Sequence, residues 1–191
     1  LDVPCVIQAV DVDLGNVESQ ARSARYAAFQ KHLLANEILV LAHHQQDQAE
    51  TVLLRLLSGA GIHGLAAMQS IDIREKFTIW RPLLALSRQQ IELWAAEMQL
   101  RNIQDQTNFD TSYDRAWCRA ELWPILEKRF PKMQQALART SYLMQDAEMI
   151  LADVLAQDWA SCGNAAVLNL TPFRQLSAPR QRQLLSAWMK G

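Results

Sequence analysis

The chain has 191 residues, with 19 basic against 20 acidic side chains, 50% hydrophobic and 20% charged residues. That composition excludes a disordered segment, and the even charge balance excludes a globally basic nucleic-acid binder, so any polyanion binding must come from local patches. Cys5, Cys118 and Cys162 form no short-range pair, which excludes a disulfide framework, a CxxC redox site and a Cys-rich metal centre. No apolar run approaches the ~18–20 residues of a membrane span and no signal-peptide pattern is present, so a soluble, cytoplasmic protein is expected. The length allows one large domain or two small ones. The start at Leu1, directly in an apolar run, suggests part of something longer.

In chain order, Val3 to Val12 is β-branched and reads as a strand, closed by the turn-like Gly15-Asn16. Glu18 to Leu34 carries Ala21, Ala24, Ala28 and Leu34 near helical spacing, and Asn36 is a stop. Glu37 to Ala42 is the short apolar run of a buried parallel strand. His43-His44-Gln45-Gln46 then leads into a helix over Asp47 to Leu57, whose apolar face is Ala49, Val52, Leu53, Leu56 and Leu57. Strand, helix, strand, helix within sixty residues predicts a βαβ unit, hence a parallel sheet with covering helices.

Gly59, Gly61 and Gly64 satisfy G-x-G-x-x-G, but they follow a helix, whereas the dinucleotide fingerprint needs a strand before it and a helix opening at it. A helix cap and flexible turn is the expected reading. Ile71 to Trp80 is expected as an edge strand ending at Arg81-Pro82, Ser87 as the N-cap of a helix through Met98, and the polar stretch from Asn102 as a loop. From Ala116 the pattern is helical almost to the end, punctuated by Pro124, Pro131, Pro172 and Pro179. The fold class expected is therefore an α/β parallel-sheet half domain over residues 1–112, followed by an all-α helical domain over 113–191.

Charge is uneven in the second part. Residues 111–139 carry six basic and three acidic side chains, 140–170 none and four, 171–191 four and none. One charge run is usually a solvated face, but two basic stretches in one domain point toward a polyanion. The candidates for polyanion contacts are Lys128, Arg129 and Lys132 in the first stretch and Arg174, Arg180 and Arg182 in the second.

The segment Leu41 to Thr51 (LAHHQQDQAET) carries the chemistry. It stands where a parallel strand hands over to a helix, the place where open α/β sheets bind ligands. With the helix beginning by Gln45, Asp47 and Glu50 lie three apart on one face, with His43 just before them. Two such carboxylates can hold an amine, coordinate a hard metal or do acid–base work. They can equally be first-turn acids that complement the helix dipole. Zinc is disfavoured, because no His-x-x-x-His pair is present, and no metal ligand is assigned.

The run AHHQQDQAETVLLRLLSGAGIHGLAAM resembles the signature of the tRNA(Ile)-lysidine synthase family, within the N-type ATP pyrophosphatase or PP-loop group, usually A-H-H-x-D-D-Q-x-E-T. Glu18 to Tyr26 is similar to the family's E-x-x-A-R-x-x-R-Y helix. Arg81-Pro82-Leu83-Leu84, Asp105-Gln106-Thr107-Asn108 and Asp114-Arg115-Ala116-Trp117-Cys118-Arg119 are similar to its R-P-L-L, D-x-[ST]-N and D-R-N-x-x-R elements, and Pro179 to Arg182 fits a helix start in its central helical domain. Gln46 replaces the first Asp of the pair, Ala116 replaces the Asn, and the SGGxDS phosphate loop is not in the chain, as if its strand preceded Leu1.

The resemblance implies a Rossmann-like fold of adenine nucleotide alpha-hydrolase type, the C-terminal half of a PP-loop catalytic domain, then a central helical tRNA-binding domain. It implies a ligase that uses ATP with Mg2+ and free L-lysine to convert the wobble cytidine of a CAU-anticodon isoleucine tRNA to lysidine through an adenylated base. Asp47 and Glu50 would bind the lysine, His43, Arg115 and Arg119 would stabilise developing negative charge, and a homodimer is admitted. Two rivals stay open. A related PP-loop tRNA thiolase would share the His-His segment but usually has paired cysteines. A degenerate RNA-binding module would fit Gln46, Ala116 and the lacking loop.

Overall fold

The computed structural model describes residues 3–10, 17–101, 111–164 and 166–189, which group into two compact units. The first draws on Leu1–Asp47 and Met68–Asn102, the second on Gln48–Ala67 and Ile103–Gly191. The chain thus enters the second unit in the middle of a helix, leaves it, and returns.

In the first unit, α1 (Val17–His32) is followed by Asn36, whose φ of 70° is the left-handed conformation that asparagine tolerates and that turns the chain into β1 (Ile38–Val40). The expected single strand over Ile71 to Trp80 is instead a hairpin, β2 (Ile71–Ile73) and β3 (Thr78–Trp80), closed by Arg74 N–H donating to the Phe77 carbonyl at 3.1 Å. The sheet order is β1-β3-β2. β3 runs parallel to β1 and antiparallel to β2, so the sheet is mixed rather than parallel, and β3 is central rather than an edge. Ile79, at the middle of β3, is fully buried.

Among the described residues β1 has a strand on one side only, and Ile38 and Val40, on one face of the sheet, are about half exposed, which corrects the expectation of a buried strand. Val3 to Val10 also departs from expectation. These residues form no strand and are exposed, Ile7 at 95%, because β-branched composition makes a strand only where a neighbour pairs with it. Asp11 and Val12 lie outside the described residues, as does the expected loop from Asn102 to Asp110. Helix α4 (Arg88–Glu97) opens at Ser87 as expected. The Ser87 hydroxyl accepts from Gln90 N–H while the Gln90 amide oxygen accepts from Ser87 N–H, a reciprocal capping box.

Helix α2 (Gln45–Leu57) begins in the first unit and runs into the second. It ends at Gly59, φ +76°, where Ala60 N–H bonds back to the Arg55 carbonyl and Gly59 N–H to that of Leu56. The glycine run is therefore a helix stop leading into α3 (Ile62–Leu65). The rest of the unit's described elements are helical apart from one bridge between Gly163 and Leu168: α5 (Asp114–Trp117), a π-helical turn (Cys118–Leu122), α6 (Trp123–Arg129), α7 (Met133–Cys162), α8 (Leu170–Phe173) and α9 (Ala178–Trp188). Its core joins Ala49 of α2 to Cys118, Trp123 and Met133, flanked by Leu53, Leu54, Leu122, Leu126 and Leu137.

Candidate functional site

In the first unit the site begins where β1 ends. Leu41 N–H donates to the Trp80 carbonyl at 2.9 Å, continuing the parallel pairing, and Gln45 N–H donates to the Leu86 carbonyl at 2.9 Å, tying down the start of α2. Between these anchors His43 lines a small cavity of about 170 Å³ with Arg25, Tyr26 and Phe29 of α1 and Leu41 and Ala42. Asp47 is the third residue of α2. Its carboxylate accepts from the His44 backbone N–H at 2.9 Å and lies 3.6 Å from His44 Nδ1, so it reaches back over the helix start and satisfies an otherwise orphaned donor.

In the second unit Glu50 is fully buried. Arg119 grips it with both arms of its guanidinium, Nε to Oε1 at 2.6 Å and Nη2 to Oε2 at 2.8 Å. A carboxylate so placed must be paired, and the two-pronged geometry suits arginine rather than lysine. Arg115, four residues earlier, donates from Nη2 to Thr51 Oγ1 at 3.3 Å. Arg119 stands on the π-helical turn, where Trp123 N–H reaches back five residues to the Cys118 carbonyl. Pro124 follows and has no N–H to donate, so the ladder is interrupted there and the wider turn absorbs the mismatch. Burial pushes the Cys118 thiol up from its ordinary value. Glu50 and Asp114 add to that push, and Arg119 opposes it.

Spacing in the sequence joined Asp47 and Glu50 as a pair. The structure gives each its own partner, His44 and Arg119. It also brings together residues that spacing could not: Thr51 with Arg115, and fully buried Gln48, whose amide donates to Ser141 Oγ of α7 at 2.8 Å. Nothing local in the sequence marks Gln48 and Ser141 as partners, 93 positions apart. Arg25 and Tyr26 could have been found from the helix motif at Glu18 to Tyr26.

The candidate phosphate-binding residues fall at helix ends of the second unit. Lys128 and Arg129 close α6, with Arg129 stacked over the Phe130 ring at 5.5 Å, and Lys132 precedes α7. Arg174 follows α8, and Arg180 and Arg182 lie in α9. Arg180 differs from the rest, since its guanidinium is held by the buried Asp158 carboxylate of α7, with Nε to Oδ2 at 3.0 Å and a second bond from Nη2 to Oδ1. That hydrogen bond raises its pKa further. Among the described residues no group of three or more His, Cys, Asp or Glu could hold a metal ion, and no helix is long and apolar enough to cross a membrane.

A strand-to-helix junction carrying a His-His-x-x-Asp segment, with a buried Glu gripped by an Arg from a distant turn, is the arrangement to set beside known families. The family model described as PP-loop domain matches residues 1–126, and the chain belongs to that family. Among curated relatives it is 62% identical over 189 residues to the tRNA(Ile)-lysidine synthase of Acinetobacter baylyi, covering 99% of this chain and 41% of the relative. It is 40% identical over 193 residues to that of Actinobacillus pleuropneumoniae, covering 100% and 46%, and 38% identical over 201 residues to that of Pseudomonas aeruginosa, covering 99% and 46%. The chain thus spans somewhat under half the length of these relatives.

Proposed function

We propose that the protein acts in tRNA modification, converting the wobble cytidine of a CAU-anticodon isoleucine tRNA to lysidine at the expense of ATP. The observation that carries this reading is the Glu50–Arg119 pair, which joins the AHHQQDQAET segment to the Asp114–Arg119 element across 69 positions, with the Glu50 carboxylate fully buried. The relatives named above support it.

In this reaction the C2 oxygen of the base first attacks the α-phosphorus of ATP, the bond between the α- and β-phosphates breaks, and diphosphate leaves an adenylated base. The ε-amine of free L-lysine then attacks C2, the C2–O bond to AMP breaks, and the amine gives up a proton. Asp47 and Glu50 supply the negative charge that receives the lysine. Asp47, with its side chain 16% exposed against none for Glu50, is the one placed to take the proton, while Glu50 acts largely by orienting Arg119. His43, Arg115 and Arg119 stabilise the negative charge that develops on phosphate and base oxygen. Mg2+ would enter this reading with the phosphates of ATP, as is common for that ion.

Residues 1–112 are read as the C-terminal half of the PP-loop catalytic domain and 113–191 as a central helical tRNA-binding domain. The run of helices after Asp114 supports that division. Lys128, Arg129, Lys132, Arg174, Arg180 and Arg182 are read as the phosphate contacts, Arg180 sharing its charge with Asp158. A cytoplasmic location and a second copy of the chain as partner belong to the same reading. The test is incorporation of labelled lysine into tRNA(Ile) transcripts by the full-length gene product, with the nucleoside identified by mass. Lysidine is expected. A sulfur-containing nucleoside would favour a thiolase, and tRNA binding without AMP release would favour a degenerate module.

A further inference from the structure

Asp47 and Glu50 account for the binding of an amine, but any alkylamine would satisfy them. What sets lysine apart is its α-carboxylate, which carboxylates repel unless a cation or a strong donor receives it. Arg119 is already engaged by both oxygens of Glu50. The first unit holds a further set of donors. The cavity of about 170 Å³ between α1 and the end of β1 is lined by Arg25, Tyr26 and His43, with Phe29, Leu41 and Ala42 as its apolar walls. Tyr26 Oη is buried, yet it meets no hydrogen-bond partner among the described residues. A buried hydroxyl in that state is destabilising, and its presence in a native fold points to a water or a ligand that completes it.

The hydroxyl is held in place. Its ring meets Phe29 edge-on at 6.1 Å and Phe77 at 6.5 Å, and the Arg22 and Arg74 guanidiniums each lie 5.1 Å from its centroid. Arg74 is itself fixed by Asp72, at 2.9 and 3.2 Å. Arg25 makes no ion pair among the described residues. A guanidinium and an oriented hydroxyl beside an imidazole are the complement of an oxyanion. The cavity is smaller than the ~300–1,000 Å³ of pockets that enclose a whole ligand, so it takes one end of a molecule. Its place selects which end. The Asp47 carboxylate accepts from the backbone N–H of His44, the residue next to His43, at 2.9 Å. The acid that takes the ε-proton thus stands about one residue's length from the cavity lining, within the span of lysine's four-carbon stem. We propose that Arg25 and Tyr26 bind the α-carboxylate of free L-lysine while its ε-amine lies at Asp47, and so select an amino acid over a simple amine. This inference rests on the tRNA-modification reading and adds the residues that make lysine its amine donor. Phosphoryl oxygens of the nucleotide share the same oxyanion chemistry, and the experiment separates the two sources.

The test supplies the full-length gene product with L-lysine or with cadaverine, which is lysine without its carboxylate, and identifies the nucleoside formed on tRNA(Ile) by mass. Wild type should prefer L-lysine in kcat/KM by roughly tenfold or more, the worth of a hydrogen bond to a charged group. Tyr26→Phe should cut kcat/KM for L-lysine about tenfold, and Arg25→Gln by a similar factor or more, narrowing the preference while moving the KM for ATP far less. Tyr26→Phe removes only the hydroxyl, so without lysine its thermal midpoint should match or exceed that of wild type, whereas loss of a structural hydrogen bond would lower it. Lysidine formation with no preference for L-lysine over cadaverine, or with a ratio unchanged in both variants, overturns the proposal, leaves the cavity to water and lets the reaction stand. A rise in the KM for ATP in place of that for lysine assigns the cavity to a phosphoryl group and also overturns it. If wild type forms no lysidine, calorimetric titration decides. L-lysine bound more tightly than cadaverine, with the difference lost in Tyr26→Phe, keeps the carboxylate site while the reaction reading falls, and no such difference overturns both.

Discussion

Replacing Arg119 by Ala should be among the most damaging single changes in the second unit. Glu50 has no exposed surface, and both of its oxygens accept from Arg119 at 2.6 and 2.8 Å. Removing one partner of a buried ion pair leaves a desolvated charge behind and costs roughly 3–5 kcal/mol. The Arg119 side chain is 30% exposed, so water can partly replace it and the lower end, ~3 kcal/mol, applies. For a chain of this length each kcal/mol moves the midpoint by roughly 2–4 °C, so a fall of about 6–12 °C is expected. Glu50→Gln keeps the shape and two polar atoms without the charge, and should cost about 1–2 kcal/mol. With Glu50 already neutral, loss of Arg119 strands an amide rather than a charge. The double variant should therefore be more stable than the sum of the singles by at least ~1 kcal/mol. Urea denaturation followed by far-ultraviolet circular dichroism, with thermal melts of all four proteins, measures the cycle. A midpoint shift below about 2 °C for Arg119→Ala, together with additive singles, would refute the pairing.

Three further expectations can be checked. Because burial holds the Cys118 thiol neutral beyond its ordinary range, the folded state keeps its proton where the unfolded chain loses it. Stability should hold below about pH 9 and decline above it, and Cys118→Ala should abolish that alkaline loss in melts across a pH series. In the full-length gene product, Asp47→Asn should raise the KM for lysine at least tenfold more than that for ATP; equal rises would remove Asp47 from the lysine pocket. Alanine at Lys128, Arg129 and Lys132 together should flatten the slope of log K against log salt for tRNA binding by ~2 units, and an unchanged slope would mark those cations as solvated bystanders.

The elements that composition and spacing anticipated correctly are those decided within a few residues. Ser87 and Gln90 complete their box three positions apart, Asn36 turns the chain by its own backbone tolerance, and Gly59 ends α2 through bonds to Leu56 and Arg55. The hairpin was hidden for a specific reason. Ile71, Ile73, Phe77 and Ile79 all have the same parity, so alternation resumes in phase after a single break at Glu75, and the turn's only local mark is the charged Arg74-Glu75-Lys76. Val3 to Val10 failed the other way, with strand composition but no partner strand among the described residues. At the site, spacing could place Asp47 and Glu50 on one helix but could not tell an acid that caps its own helix start from one buried and clamped by a residue 69 positions away. The physical distinction lies in what each would cost if unpaired. An acid at a solvated helix start is stable without help, whereas Glu50 at full burial is tolerable only with a cation brought to it. The π-helical turn before Pro124 is the backbone feature that carries that cation, so the position of a proline in the sequence bears on the geometry of a carboxylate it never touches.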